Sequence, residues 1–114
     1  MDACIFCKII QGDASGDIIY RDDLVTAFRD INPAGPVHML IVPNRHYASL
    51  NDMTSEDEAL AGRMLIVARQ LAEQEGIHES GYRLILNTGP HGGQVVHHVH
   101  LHLIGGQRMR HPMG

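Results

Sequence analysis

Residues 97–103 read HHVHLHL, which places His98, His100 and His102 at every second position with Val99 and Leu101 between them. Imidazole exists as both base and acid near neutral pH, so such residues serve as nucleophile, proton donor or metal ligand. In an extended chain alternate side chains share a face. The three histidines therefore form a row, while His97, Val99, Leu101 and Leu103 point the other way. The plain alternative is a surface histidine tract, but an exposed tract has no need of apolar residues in strict alternation. Alternate Cα atoms of a strand are ~6.7 Å apart, so His98 and His102 lie ~13 Å apart at the backbone. That is too far for three rings to converge easily on one ion, and at most two neighbours share a metal comfortably. The remaining members of the row are free for chemistry that uses neutral and charged imidazole side by side.

Two further features carry chemistry. Cys4 and Cys7, the only cysteines, form a Cys-x-x-Cys pair. In a reducing compartment this reads as a redox or metal pair more readily than as a disulfide, yet it supplies only two of the four ligands of a structural zinc site. The turn TGPHGGQ (88–94) can bring backbone N–H groups close to an anion, although by itself it reads more readily as a hairpin loop. It lacks the Gly-Lys-Ser/Thr of a phosphate-binding Walker loop and leads into a predicted strand.

The elements that must position these residues are readable from periodicity. Residues 4–11 suit a brief helix stopped by Gly12, and DIIYRDD with LVTAFRD (17–30) reads as two strands joined by a tight Asp-rich turn. NPAGP (32–36) is a loop, and VHMLIVP (37–43) is a third strand ended by Pro43. From Ser55 the period becomes helical: Leu60, Met64, Val67, Ala68 and Leu71 make one buried face, Ser55 and Glu58 fit a capping box, and Gly76 is the stop. GYRLILN (81–87) and VVHHVHLHL (95–103) complete five strands. The expected fold is α+β, a five-stranded antiparallel sheet with one long helix on a face and a short N-terminal helix.

At 114 residues and 44% apolar content the chain is expected to be one domain, 1–114. No run approaches the ~20 apolar residues needed to cross a bilayer, and the start MDACIFCKII lacks a basic leader, so a cytoplasmic protein is expected. A net charge of -4 argues against a nucleic-acid polymer as partner, and the absence of Trp leaves no obvious platform for stacking bases. A small ligand fits better.

His98-Val99-His100-Leu101-His102-Leu103-Ile104 resembles the signature His-φ-His-φ-His-φ-φ, φ being apolar, of the histidine-triad (HIT) superfamily. GGQ upstream and GG downstream of it resemble the Hint branch, the purine nucleoside phosphoramidases. IFCKII, AFRDINP, VHMLIVP, GYRLILN and RHPMG extend the resemblance over nearly the whole chain.

The resemblance implies that His100 attacks the α-phosphorus to give a nucleotidyl-histidine, which water then cleaves. It implies that a backbone carbonyl of the same strand holds the other nitrogen of His100, and that His102 is a cationic neighbour assisting departure of the leaving group. Asn87, Gly93, Gln94 and the N–H of Val95 become phosphate contacts, and Asp30 a ribose acceptor. Ile31 with Phe6, Ile9 and Phe28 would form the purine slot, although Asp30 equally opens the Asn32-Pro33 turn and the apolar residues equally serve as core. Val95 stands where many relatives carry Ser, and His111 where many carry an aromatic residue. His38 stands where the family places a further histidine near the triad, with a satisfied core histidine as the alternative.

Some relatives hold zinc on such a Cys pair with a His after the third strand and the first His of the triad, here Cys4, Cys7, His46 and His98; buried free thiols are the alternative. No organic cofactor is expected. Purine nucleotides (AMP, GMP and their phosphoramidates) are the implied ligands, and a homodimer with a sheet continuous across two copies is the implied assembly. Two other functions stay open: a dinucleoside polyphosphate hydrolase or nucleotidyl transferase of the same superfamily, and a nucleotide-binding adaptor with incidental turnover.

Overall fold

Two apolar surfaces organise the chain, one on each face of an antiparallel sheet. In the computed structural model, which describes residues 4–113, the strands are β1 (Ile18–Arg21), β2 (Val25–Arg29), β3 (Val37–Pro43), β4 (Tyr82–Ile85) and β5 (Leu101–Gly105). Their spatial order is β1-β2-β3-β5-β4. The Asp-rich turn between β1 and β2 is tight because Asp22 Oδ1 accepts from the N–H groups of both Leu24 and Val25, at 2.8 and 2.9 Å. β3 is buried along its whole length, as a central strand covered on both faces must be.

Alternation along β3 sorts the two layers. Met39 and Ile41, with Val25 and Ala27 of β2 and Leu101 and Leu103 of β5, pack under helix α2 (Glu58–Gln74). Leu40 and Val42 face the other way and pack with Phe28 of β2 and with Phe6 and Ile9 of helix α1 (Ile5–Gln11). The register pairs Leu40 with His102 and His38 with Ile104, so His38 and His102 share the α1 side of the sheet.

The expected helix is present with the buried face as read, Leu60, Met64, Val67, Ala68 and Leu71, and Ala72 is buried beside them. Its entry differs. A 3₁₀ turn occupies Ser55–Asp57, and the capping box is Thr54 with Asp57, one residue earlier than the Ser55–Glu58 pair read from the sequence. The Thr54 N–H donates to Asp57 Oδ2 at 2.8 Å, and Thr54 Oγ1 accepts from Glu56 N–H at 3.2 Å. The helix ends at Gln74, and Gly76 takes a left-handed φ of 73° while the Ile77 N–H returns to the Ala72 carbonyl, as expected of a glycine stop.

The last strand is the larger departure. Residues 95–100 lie outside the sheet, and β5 begins only at Leu101. The reason lies in its neighbour. The β3–β5 ladder ends at the Ile41–Leu101 pair although β3 runs on to Pro43, because Pro43 has no N–H to give and its carbonyl accepts from the His98 ring at 2.9 Å; Val99 N–H donates to the Tyr47 carbonyl at 2.8 Å instead. The predicted strand 81–87 is likewise shorter, 82–85. Among the described residues no helix is long and apolar enough to cross a membrane.

Candidate active site

A cavity of about 830 Å³ opens on the α1 side of the sheet. Its apolar wall includes Phe6, Ile9, Phe28 and Ile31, and His100 and His102 border it from β5 and the segment before it. Asp30, Asn87, Gly93 and Val95 reach the same cavity from two loops. The alternating histidines thus do form a row, though only His102 of the three is in regular strand. Adjacent rings of His100 and His102 lie 4.9 Å apart between centroids. His97 is exposed and off the row.

Each ring of the row has one nitrogen already committed. His100 Nδ1 lies 2.7 Å from the His98 carbonyl, a contact only an N–H can make, so Nδ1 is protonated and Nε2 keeps the lone pair. The family-implied carbonyl partner is therefore in place. Phe6 packs edge-on against this ring at 5.2 Å and fixes its orientation.

His102 is set by a longer chain that begins in the 32–36 loop. Ala34 N–H donates to His38 Nδ1 at 2.9 Å, so the proton of neutral His38 is on Nε2. His38 Nε2 in turn lies 2.9 Å from His102 Nδ1 and 3.3 Å from Asp30 Oδ2. A proton given to His102 Nδ1 leaves the other His102 nitrogen, Nε2, as the N–H donor. Asp30, His38 and His102 are near enough together to hold a cation by spacing. The protonated Nε2 of His38 offers no lone pair there, which makes the trio a hydrogen-bond chain. His38 was left open between core and site by the sequence; its partner is visible only through the β3–β5 register.

The sequence reading makes His102 cationic, whereas the free protein holds it neutral. Burial first, then the neighbouring His100 and His38 rings, push its imidazole down to about 4 against the opposing pull of Asp30. Burial lowers His38 as well, again opposed by Asp30. In the unfolded chain both return to the ordinary value of 6.5. As pH falls the unfolded chain therefore takes up these protons first. The stability they confer is complete above about 6.5 and is lost as pH approaches 4. Thermal melts across that window are expected to show a falling midpoint, with a shallower fall in His102→Gln; equal slopes in the two proteins would contradict the assignment.

Asp30 opens the turn and also borders the cavity. Its Oδ1 accepts from Asn32 N–H at 2.9 Å, the turn expected before Pro33, and its side chain also lines the cavity. Gln94 behaves differently from the rest of the loop. Its amide donates to the carbonyls of Ala48 and Val96 and accepts from Gly89 N–H, so the side chain braces the 88–94 turn and is not part of the cavity wall. Asn87 Nδ2 ties the same turn through the Gly92 carbonyl at 2.7 Å. Gly92 is required there, because a Cβ would run into the Thr88 carbonyl oxygen.

Behind Phe6 a second constellation gathers Cys4, Cys7, His46 and His98, one ligand atom from each lying within 4.8 Å of the others. Cys4 Sγ and Cys7 Sγ are 3.3 and 3.6 Å from His98 Nδ1; Cys7 Sγ and His98 Nδ1 are 3.4 and 3.2 Å from His46 Nδ1. A tetrahedral ion with ~2.0–2.3 Å bonds requires ligand separations of about 3.3–3.8 Å, and these edges match. His98 Nε2 lies 2.9 Å from the Pro43 carbonyl and so carries the proton, leaving Nδ1 as a lone pair aimed at the two sulfurs. Burial, then the hydrogen bond and charge of Cys4, pushes the Cys7 thiol up to about 11, so an ion that takes it as thiolate displaces a proton. Four protein ligands leave no position for substrate; the group is suited to holding structure.

Comparisons with known proteins find similarity in sequence and in fold. A family model for the HIT domain matches residues 11–109. The chain is 57% identical over 103 residues to the purine nucleoside phosphoramidase of Escherichia coli (strain K12), which covers 90% of this chain and 87% of that protein. The fold superposes on a HIT family hydrolase from Legionella pneumophila Philadelphia 1 with a TM-score of 0.94 at 47% identity, covering 97% of this chain and 99% of the other. A histidine triad protein from Clostridium difficile gives 0.94 at 39% identity, over 99% and 97%.

Proposed function

The chain belongs to the HIT family, and from that membership we propose that it hydrolyses purine nucleoside 5′-phosphoramidates to the nucleoside monophosphate and an amine. The observation that carries this reading is His100: its Nδ1 is committed to the His98 carbonyl, and the unprotonated Nε2 belongs to a ring lining a cavity of nucleotide size. In the first step the Nε2 lone pair forms a bond to the α-phosphorus while the P–N bond breaks and the departing nitrogen takes a proton. In the second, water attacks the same phosphorus and returns Nε2 to its starting state. Dividing one displacement into two in this way is covalent catalysis.

The other groups take supporting roles. His102 donates from Nε2 to a phosphate oxygen, and because its Nδ1 accepts from His38 the ring is neutral in the complex. The departing amine takes its proton from solvent water. Asn87, Gly93 and the Val95 N–H receive the phosphate, Asp30 the ribose hydroxyls, and Phe6, Ile9, Phe28 and Ile31 the purine. Val95 offers no hydroxyl to the leaving group, so the amine meets solvent on that side.

We further read residues 1–114 as one HIT domain, cytoplasmic, with structural zinc on Cys4, Cys7, His46 and His98. Reduced thiols as metal ligands suit a cytoplasm. A homodimer is supported by the exposed apolar Leu50, Leu65 and Ile66 and by β4 standing at one end of the sheet. The test of function compares AMP release from an adenosine 5′-phosphoramidate and from a diadenosine polyphosphate. A higher kcat/KM on the phosphoramidate is expected. Preference for the polyphosphate would make the enzyme a dinucleotide hydrolase, and negligible turnover of both with retained AMP binding would make it an adaptor.

A further inference from the structure

Three arginines stand beside the histidine row without a carboxylate of their own. On the sheet face that carries the row, Ile85 of β4 is directly opposite His102, and Arg83 is opposite Ile104, one step further along. Arg83 is therefore the diagonal cross-strand neighbour of His102, at a separation of roughly 7–8 Å that a long side chain spans. A second cavity, of about 450 Å³, opens at this point. Ile85 and Ile104 line it from the sheet, while Arg83, Arg108, Arg110 and His111 border it with polar groups and no acidic side chain does. Elsewhere arginines meet carboxylates, Arg29 with Glu75 at 3.1 Å and Arg63 with Asp22 at 3.2 Å. Among the described residues Arg83, Arg108 and Arg110 have none within ion-pair distance. Arg83 Nη1 donates to the His111 carbonyl at 2.9 Å, which holds the tail against the sheet, and a guanidinium has further N–H groups for a ligand.

We propose that this cavity is a subsite for the leaving group, and that the amine side of the substrate carries a carboxylate received by Arg83, with Arg108 and Arg110 beside it. The direction of displacement supports the placement. His100 Nδ1 is turned back to the His98 carbonyl, so Nε2 faces away from His98, along the row. Attacking and leaving atoms lie roughly in line across the phosphorus. The amine therefore departs on the side away from Nε2, where the row continues past His102 to Ile104 and the arginines. Ile85 and Ile104 suit the methylene groups between amine and carboxylate, and a guanidinium matches a carboxylate in shape and charge. The inference rests on the phosphoramidase reading and names the substrate class within it: nucleoside 5′-phosphoramidates of amino acids, ahead of those of simple alkylamines.

The experiment compares unsubstituted adenosine 5′-phosphoramidate with two N-substituted series, one built on ω-amino acids of increasing chain length, the other on their methyl esters. The esters match the acids in length and lack the charge. In the wild type kcat/KM is expected to be about fivefold higher on the best acid than on its ester at low salt, the scale of an ion pair at a partly exposed site. Salt should bring the two toward equality. Arg83→Gln should remove most of the preference, and Arg83→Lys, which keeps the charge, should retain part of it. Arg83→Gln also frees the tail from its bond to the sheet, so the double variant Arg108→Gln with Arg110→Gln, at two exposed positions, separates charge from fold. It too should lower the preference.

The unsubstituted phosphoramidate does not reach the arginines, and every variant should turn it over as the wild type does. Equal kcat/KM on acid and ester in the wild type at low salt, or a preference that survives Arg83→Gln, overturns the subsite while leaving the phosphoramidase reading intact. No turnover of the unsubstituted phosphoramidate by the wild type is the failure of that reading, and the subsite falls with it.

Discussion

His100→Ala is expected to abolish turnover, by about 10⁴-fold or more, while AMP still binds within a few-fold of the wild type. The expectation follows from what the ring does and what it leaves behind. His100 is the ring of the row whose Nδ1–H is anchored to the backbone at 2.7 Å, which commits its lone pair to Nε2. Its neighbour His102 has Nδ1 turned toward His38 at 2.9 Å, which makes its free nitrogen a donor rather than a nucleophile. No second imidazole is therefore positioned to replace the lost one. The walls that hold the nucleotide survive: Phe28 and Leu40 belong to the sheet, and Asp30 is fixed through Asn32. Phe6 loses the ring 5.2 Å away and keeps Phe28 at 5.3 Å, while His102 loses the ring 4.9 Å away and keeps His38. Two measurements decide the matter. Rapidly quenched wild type should carry a nucleotidyl group on His100, and the variant none; turnover retained in the variant would end the assignment of His100 as nucleophile.

The row was legible in the sequence because alternation is a local property that survives even where regular strand does not. His98 stands at a bend and His100 in irregular chain outside the sheet, with Val99 tied to Tyr47 and the His98 ring tied to Pro43. The strand boundary was misplaced for a non-local reason: the ladder with β3 stops at the Ile41–Leu101 pair, because Pro43 beyond it has no N–H and gives its carbonyl to the His98 ring. The same limit hid His38. Nothing in VHMLIVP distinguishes a satisfied core histidine from one set against His102, since their proximity depends on pairing across 64 residues. Gln94 shows the converse. Its position in a glycine-rich turn suggested phosphate, but a side-chain amide fits equally well to loop carbonyls, and the sequence carries no mark of which it meets. The Cys-x-x-Cys spacing was explicit, whereas His46 and His98 entered through family resemblance; the fold supplies the physical reason, by bringing the end of β3 and the approach to β5 over α1.

Removing metal is expected to cost stability before it costs chemistry. The Cys4, Cys7, His46 and His98 group joins α1 to the two segments that leave β3 and enter β5, connections otherwise made by Phe6, Ile9 and their apolar neighbours. A bound ion contributes to folding whatever it gains over the unfolded chain, and structural zinc in small domains contributes several kcal/mol. For a chain of 114 residues each 1 kcal/mol shifts the midpoint by roughly 4 °C, so exhaustive chelation should lower the thermal midpoint by on the order of 10–20 °C. Zinc, measured at one per chain in protein purified without chelator, should restore it. Activity well below the lowered midpoint should stay within about twofold, because the group has no open position and Phe6 stands between it and the cavity. Loading should release protons and weaken as pH falls, since Cys7 is pushed up to about 11 and gives up its proton to the ion. Cys7→Ser should reproduce the chelated state and no longer respond to zinc. Loss of activity within seconds of chelation, with the fold intact, would place the metal in catalysis; a midpoint indifferent to chelator, with two thiols titrating freely on unfolding and no zinc present, would leave Cys4 and Cys7 as buried thiols.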